Sequence, residues 1–425
     1  MNERLLQYIW QFQYFNKHQL QTTDQEPLTI LFPGQLNTHQ GPDFSQAKIQ
    51  IGNTTWIGSV EVHIRTSDWL RHGHDKDMHY DQVILHVVWQ DDRAGNKPGN
   101  HPVLELCNLV PKVLLTRYEQ LLQQKGFIPC ENSITNVKDI VWQGWKERLL
   151  VERLSRKAAR VLELFDNNRH SWEDVFWWQL AANFGLKVNK DAFEAIARSL
   201  PVKLLARHRN QVQQLEALLL GQAGLLAEAS EDQYVVLLQK EYRFLQKKYQ
   251  LPEVQLPVYF LRMRPANFPT IRLAQLAMLV HQSVHLFSVI IETKELAVIA
   301  SLFAIQPNDY WLYHYRLNQP TPYREKQLGA TMFDSIVINT ICPVLFAYGL
   351  YHQQETIKHK AINWLLATKA EQNSIIDDFK QIGIRCKHAG DSQALLELKT
   401  QYCQEKRCLE CAVGNSILKT TVSSK

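Results

Sequence analysis

The chain has 425 residues, 45% of them hydrophobic, enough to bury at least one large core and to divide into two or three domains. A net charge of +5 and a pI near 8.7 are mildly basic, so a polyanionic partner is permitted but not demanded. Met1-Asn2-Glu3-Arg4 and the amphipathic stretch from Leu5 to Phe15 lack the basic start and apolar block of a signal peptide, and seven cysteines, an odd number, argue against a disulfide framework. A cytoplasmic protein is expected.

After a first helix over Leu5 to Phe15, the segments Lys48-Ile49-Gln50-Ile51 and Thr54-Thr55-Trp56-Ile57 read as a β-hairpin, because Gly52-Asn53 supplies the positive φ angles of a two-residue loop. Asp43, behind the bend at Gly41-Pro42, then falls at or just before one strand, and Glu61 falls on the next. Side chains alternate along a strand, which groups Glu61, His63 and Arg65 on one face, toward a cleft, and Val60, Val62 and Ile64 on the other, toward the core. Gly58 has room for a bulge or a close backbone approach near Glu61.

Two converging carboxylates form a hard oxygen site that suits Mg or Mn, and such an ion activates water and offsets phosphate charge. On this reading Asp43 and Glu61 hold the metal, and His63 orients or deprotonates the water. The same D…ExH pattern also reads as an ordinary half-buried antiparallel strand.

From Ser67 to Asp81 the chain gathers His72, His74, His79 and four Asp before Val83–Trp89, an apolar strand. His72, His74 and His79 either support the Asp43–Glu61 site, hold a zinc ion of their own, or belong to a solvated, capped turn.

From about residue 124 the pattern changes from alternation to helical periodicity. Trp145, Leu149, Leu154, Ala158, Leu162 and Phe165 share one stripe, and Ser171-x-x-Asp174 resembles a capping box before a helix that Gly185 ends. Further helices are expected near 191–199, 208–228, 232–249, 272–291, 293–304, 333–350 and 355–381. The stretch from Arg272 to Glu292 has no charge between its ends, yet Gln275, Gln282, His285 and Ser288 give it a polar face, so a buried helix is expected rather than a membrane span.

The loop from Arg262 to Arg272 brings Arg262, Arg264, Asn267 and Arg272 together on a Pro-stiffened turn before a helix, a phosphate clamp or a set of interhelical ties. At the end of the chain, Cys386 precedes Cys403-x4-Cys408-x2-Cys411, four thiols that either hold zinc or an iron–sulfur cluster or are simply buried.

GPDF, the Val60-Glu61-Val62-His63 strand, SDW-x-x-H-x-H, Tyr80-Asp81, LHVVW and the Arg262–Arg272 loop together resemble the bacterial family catalogued as domain of unknown function 2851, over nearly the whole chain. The N-terminal order of helix, strand with Asp, strand with ExH, helical turn and strand is similar to the PD-(D/E)XK nuclease superfamily. That resemblance implies a restriction-endonuclease-like mixed sheet over residues 1–123; with the helical periodicity beyond it, the chain is expected to be α+β, with an all-α domain over 124–382 and a Cys-containing segment over 383–425 packed on the helices. It implies that Asp43 and Glu61 are the acidic metal ligands and that Glu3 contributes from the first helix. It puts His63 where a Lys is usual, replacing a permanent cation with a group mostly neutral at pH 7. Some similar nucleases staple their core with one Cys before and three after the catalytic segment; here Cys130 follows it.

The expected function is therefore a metal-dependent phosphodiesterase or nuclease acting on nucleic acid. The alternative is a nucleic-acid-binding or scaffolding protein that keeps the fold without cutting, and a third reading is a zinc hydrolase on His72, His74 and His79. No membrane partner is expected.

Overall fold

The computed structural model describes residues 1–37, 40–93, 99, 101–124, 126–167, 171–283 and 285–419. The architecture is α+β, as expected: a mixed N-terminal sheet followed by a mostly helical region. Contacts divide the chain into two compact units, Met1–Trp145 with Lys399–Lys425, and Lys146–Leu398. This division differs from boundaries at 123 and 382. The long helix Asp139–Asp166 runs through one boundary, and the final segment returns to the first unit, where Ala412–Lys419 packs against Lys112–Gln123.

In the first unit, α1 (Glu3–Gln11) precedes β1 (Leu28–Phe32), β2 (Gln35–Leu36), β3 (Phe44–Ile51), β4 (Thr54–Arg65), β5 (Val83–Gln90) and β6 (Val103–Glu105). The sheet order is β1-β3-β4-β5-β6, with β2 also paired to β3. The hairpin forms where Gly52-Asn53 places it: Ile51 faces Thr54, and Gly52 has φ +57°. β1, β3 and β4 pair antiparallel, whereas β4, β5 and β6 pair parallel.

That parallel pairing changes the character of β4. Glu61 and His63 are 5% and 2% exposed, so the polar face expected to line an open cleft is instead covered. The cover is the crossover from β4 to β5, which holds α2 (Asp68–Arg71) and two 3₁₀ turns, His74–Lys76 and Met78–Tyr80. Trp69, itself 2% exposed, sits under that cover against His74, His86, His101 and Tyr80. Gly58 provides the close approach expected of it: a Cβ there would lie 2.5 Å from Ile84 Cγ2 and 2.6 Å from the Gln82 carbonyl. The β4–β5 register shifts beside it, between Ser59 and Val60.

The helical unit opens within the helix Asp139–Asp166 (α3), followed by α4 (Trp172–Phe184) and α5 (Leu186–Ser199). Ser171 caps α4 by accepting from the Asp174 amide, and Gly185 ends it. The expected helix over 272–291 divides into Pro269–Gln282 and Leu286–Glu292, and that over 355–381 into Glu355–Ala367 and Ser374–Gln381, the latter started by an Asn373 cap on the Ile376 amide. Ala330–Tyr351 is long and apolar enough to cross a membrane, but most of its apolar stretch is buried inside the protein, as in a core helix. Its middle, Val337–Ile341, is a π-helix.

A carboxyl lies deep in this unit. Glu216, on the helix Val212–Gln222, is 1% exposed and accepts from Tyr234 Oη at 2.6 Å, Asn308 Nδ2 at 2.6 Å and Trp311 Nε1 at 3.0 Å. Burial pushes its carboxyl up to about 7 against the opposing pull of those three donors.

Candidate metal centre

The bend before β3 and the face of β4 lock two carboxylates to one another's backbone. The Asp43 amide donates to Glu61 Oε2 at 3.0 Å, and the Val62 amide donates to Asp43 Oδ2 at 3.2 Å. Gln7 from α1 donates to Asp43 Oδ1 at 2.9 Å. Gln7 carries no sequence signal beyond its place on an amphipathic helix, and sequence reading missed it.

The other Glu61 oxygen faces imidazoles. Glu61 Oε1 lies 3.4 Å from His63 Nε2 and 3.5 Å from His74 Nε2, and His63 Nε2 lies 3.1 Å from His72 Nδ1. The ligand atoms of His63, His72 and His74 all fall within 4.8 Å of one another. Two ligands about 2.0–2.1 Å from a tetrahedral ion are separated by about 3.3 Å, so three of these contacts match edges of such a polyhedron. His63 Nδ1 turns away to His86 Nε2 at 2.9 Å, which fixes its ring as the outer partner of a metal-binding imidazole does. His86 lies directly across the sheet from Glu61. A lone imidazole inside the apolar run of β5 was its only sequence signal.

Charge in the site follows from burial. Desolvation is the largest cause pushing Glu61 up, to about 8, and Asp43 up, to about 6, and each is pushed further by nearby carboxylates, Glu3 among them. Desolvation also pushes His63 down to about 2 and His86 down to about 3. The Glu61–His63 contact is therefore not an ion pair, because burial drives both groups toward neutrality. Imidazoles that are already neutral need lose no proton to admit a cation, and the cation's charge would favour the carboxylate form of Glu61 beside them. Tyr80 stacks on His74 with ring centres 3.8 Å apart, and its phenol is held up to about 12 by burial first and then by Glu61 and Asp43.

Not every expected residue joins this group. His79 is exposed and bonds Asp77 Oδ1 at 2.6 Å, so the three-histidine set is completed by His63 rather than His79. In the helical unit, Arg272 is buried and donates to Asn267 Oδ1 at 2.6 Å and Gln275 Oε1 at 2.8 Å, while Arg262 and Arg264 are exposed. That guanidinium fork ties the loop to its helix, and burial lowers it to about 10.

The cysteines also regroup. Cys130, Cys403, Cys408 and Cys411 lie in one unit, and every pair among them is close enough for one thiol to raise the other, on top of the desolvation that dominates each shift. Cys386 falls in the other unit beside Asp391 and Lys146, so Cys130 takes the place expected for it.

No curated protein and no solved structure matches the chain. Residues 3–374 match the model of the family described as "Protein of unknown function (DUF2851)", and the chain belongs to that family.

Proposed function

We propose that the chain is a metal-dependent phosphodiesterase acting on nucleic acid, with the ion held by His63, His72 and His74 and with Glu61 beside its remaining position. The observation that carries this reading is the set of nitrogen and oxygen atoms spaced like the edges of a tetrahedral ion. A nitrogen-rich set favours zinc, or manganese, over the Mg of an all-oxygen pair. The order of α1, Asp43 before β3, and Glu61 and His63 on β4 supports a nuclease-like arrangement, and the mildly basic charge suits a polyanionic substrate.

The charge of a bound ion would hold Glu61 as the carboxylate, and its Oε1 would then accept a proton from a water directed at phosphorus. The water oxygen forms the new P–O bond, the bond to the leaving oxygen breaks, and the proton returns to that oxygen. Asp43, fastened by Gln7 and the Val62 amide, holds Glu61 in place through its own amide.

The test incubates the purified chain with labelled single- and double-stranded DNA and RNA and with Zn, Mn or Mg in turn, beside Asp43→Ala and Glu61→Ala. Cleavage that falls at least ~10³-fold in Glu61→Ala is the expected result. Equal cleavage by wild type and both variants would overturn the site.

A second reading is favoured by the Glu61 distances themselves. Because Glu61 Oε1 stands as close to two imidazole nitrogens as a fourth ligand would, it could close a structural four-ligand site in a protein that binds nucleic acid without cutting. Tight zinc without cleavage in the same assay would select it.

The four grouped thiols would hold an iron–sulfur cluster rather than a single zinc, since among the described residues only the histidine set brings three ligand atoms within 4.8 Å of one another. Cys130→Ser is expected to lose the visible absorbance and iron of protein purified without oxygen, whereas Cys386→Ser keeps both. Seven free thiols support a cytoplasmic setting.

A further inference from the structure

A cavity of about 560 Å³ opens in the helical unit between the helix Asp139–Asp166, α4, α5 and the π-helical stretch near Asn339. Five cations line it: Arg156, Lys157, Arg160, Lys187 and Lys190. The acid on its wall, Glu194, pairs with Arg198 at 2.7 Å. Arg156 is neutralised by Glu397, which accepts from its Nη2 at 2.5 Å and its Nε at 3.2 Å.

The remaining cations are not matched in this way. Lys157 donates only to uncharged acceptors, Asn339 Oδ1 at 3.0 Å, Gln393 Oε1 at 3.1 Å and the Ile338 carbonyl at 3.4 Å. Burial, then the Arg153 charge, pushes its ammonium down to about 7. Among the described residues, Arg160, Lys187 and Lys190 have no carboxylate within ion-pair distance. Like charges gathered on one concave wall repel, and an anion relieves them.

The backbone around the cavity is irregular at three places. Leu186, on its wall, has φ +55°, a left-handed conformation that a branched side chain rarely adopts. α5 is broken at Asn189 (φ −114°, ψ 16°), whose amide group bonds the Tyr259 backbone at 2.7 and 2.9 Å. The π-helix Val337–Ile341 supplies Asn339. Such departures are retained where a ligand is held.

The remaining wall is not charged. Val161, Ala182, Leu186 and Pro343 are its apolar lining, and Gln179 and Asn183 line it as well. A volume within about 300–1,000 Å³ suits one small ligand with an uncharged body.

We propose that this cavity binds a nucleoside polyphosphate, its phosphates on Lys157, Arg160, Lys187 and Lys190 and its base or sugar over Ala182, Leu186 and Pro343. The site belongs to the helical unit and does not depend on the metal centre.

The test titrates the full chain calorimetrically with ATP, GTP, inorganic tripolyphosphate and a single-stranded oligonucleotide. Two double variants accompany it: Lys187→Glu with Lys190→Glu, and, as a control on another exposed helix face, Lys247→Glu with Lys248→Glu. Saturable one-to-one nucleotide binding is expected, tighter than tripolyphosphate, weakened at least ~tenfold by the first pair, weakened little by the second, and reduced by added salt. Both double variants should unfold at the wild-type midpoint without ligand. The proposal is overturned by no binding at about 1 mM nucleotide, by equal affinity in the first double variant, by tripolyphosphate binding as tightly as ATP, or by binding of the oligonucleotide alone.

Discussion

Truncating His72 to alanine is expected to weaken zinc binding by at least ~10³-fold, about 4 kcal/mol, while leaving the fold intact. His72 is exposed, so removing its ring opens no cavity, yet its Nδ1 stands 3.1 Å from His63 Nε2. His63→Ala would lose the ion as well, but it also removes a buried ring from between His72 and His86, which mixes metal loss with packing loss. His79→Ala serves as the control, because that ring is spent on Asp77. Zinc content after dialysis and competition with a coloured chelator measure the effect. Wild-type affinity in His72→Ala would remove the three-histidine set from consideration.

The second large effect concerns stability. Glu216→Ala leaves the Tyr234 hydroxyl, the Asn308 amide and the Trp311 indole N–H facing an empty space, and it should cost about 3–5 kcal/mol. Glu216→Gln keeps an acceptor for Asn308 and Trp311, and its amide can donate to the Tyr234 oxygen, so a smaller loss is expected.

The pH dependence separates the two forms of that carboxyl. Its folded value is raised to about 7 from an ordinary 4.5, so the stability associated with the neutral form is fully present below about 4.5 and is lost as pH rises to about 7. The Gln variant cannot titrate. Denaturant midpoints at pH 5 and pH 7 should therefore fall with pH more steeply in the wild type than in Glu216→Gln, and identical slopes would contradict a raised carboxyl.

Much of the first sheet was legible because its signals are local. Gly52-Asn53 fixed the hairpin, and alternation put Glu61 and His63 on one face of β4. What alternation could not show is which strand pairs next. Because β5 adds in parallel, the crossover folds over that face and brings His74 to Glu61 and His72 to His63, a consequence of sheet topology rather than of spacing. His79 was a reasonable ligand by spacing, but the Asp77 cap two residues earlier captures it. Cys130 joined the tail thiols through the return of the last segment to the first unit, a contact spanning most of the chain. The cation-lined cavity was illegible for a similar reason: Arg160 lies on one helix and Lys187 and Lys190 on another, and no local spacing links them.

The crossover between β4 and β5 has a bearing on how quickly the sheet is assembled. Parallel pairing is slow to form, since the ends of its connection must be closed before any ladder bond forms. Here the connection contains two of the three histidines, and the third lies at its start on β4. On the proposed reading, an ion captured by these neighbours in sequence would close part of the connection early and leave β5 to dock on an edge already organised. Metal supply would then govern the rate of folding as well as the chemistry of the finished site.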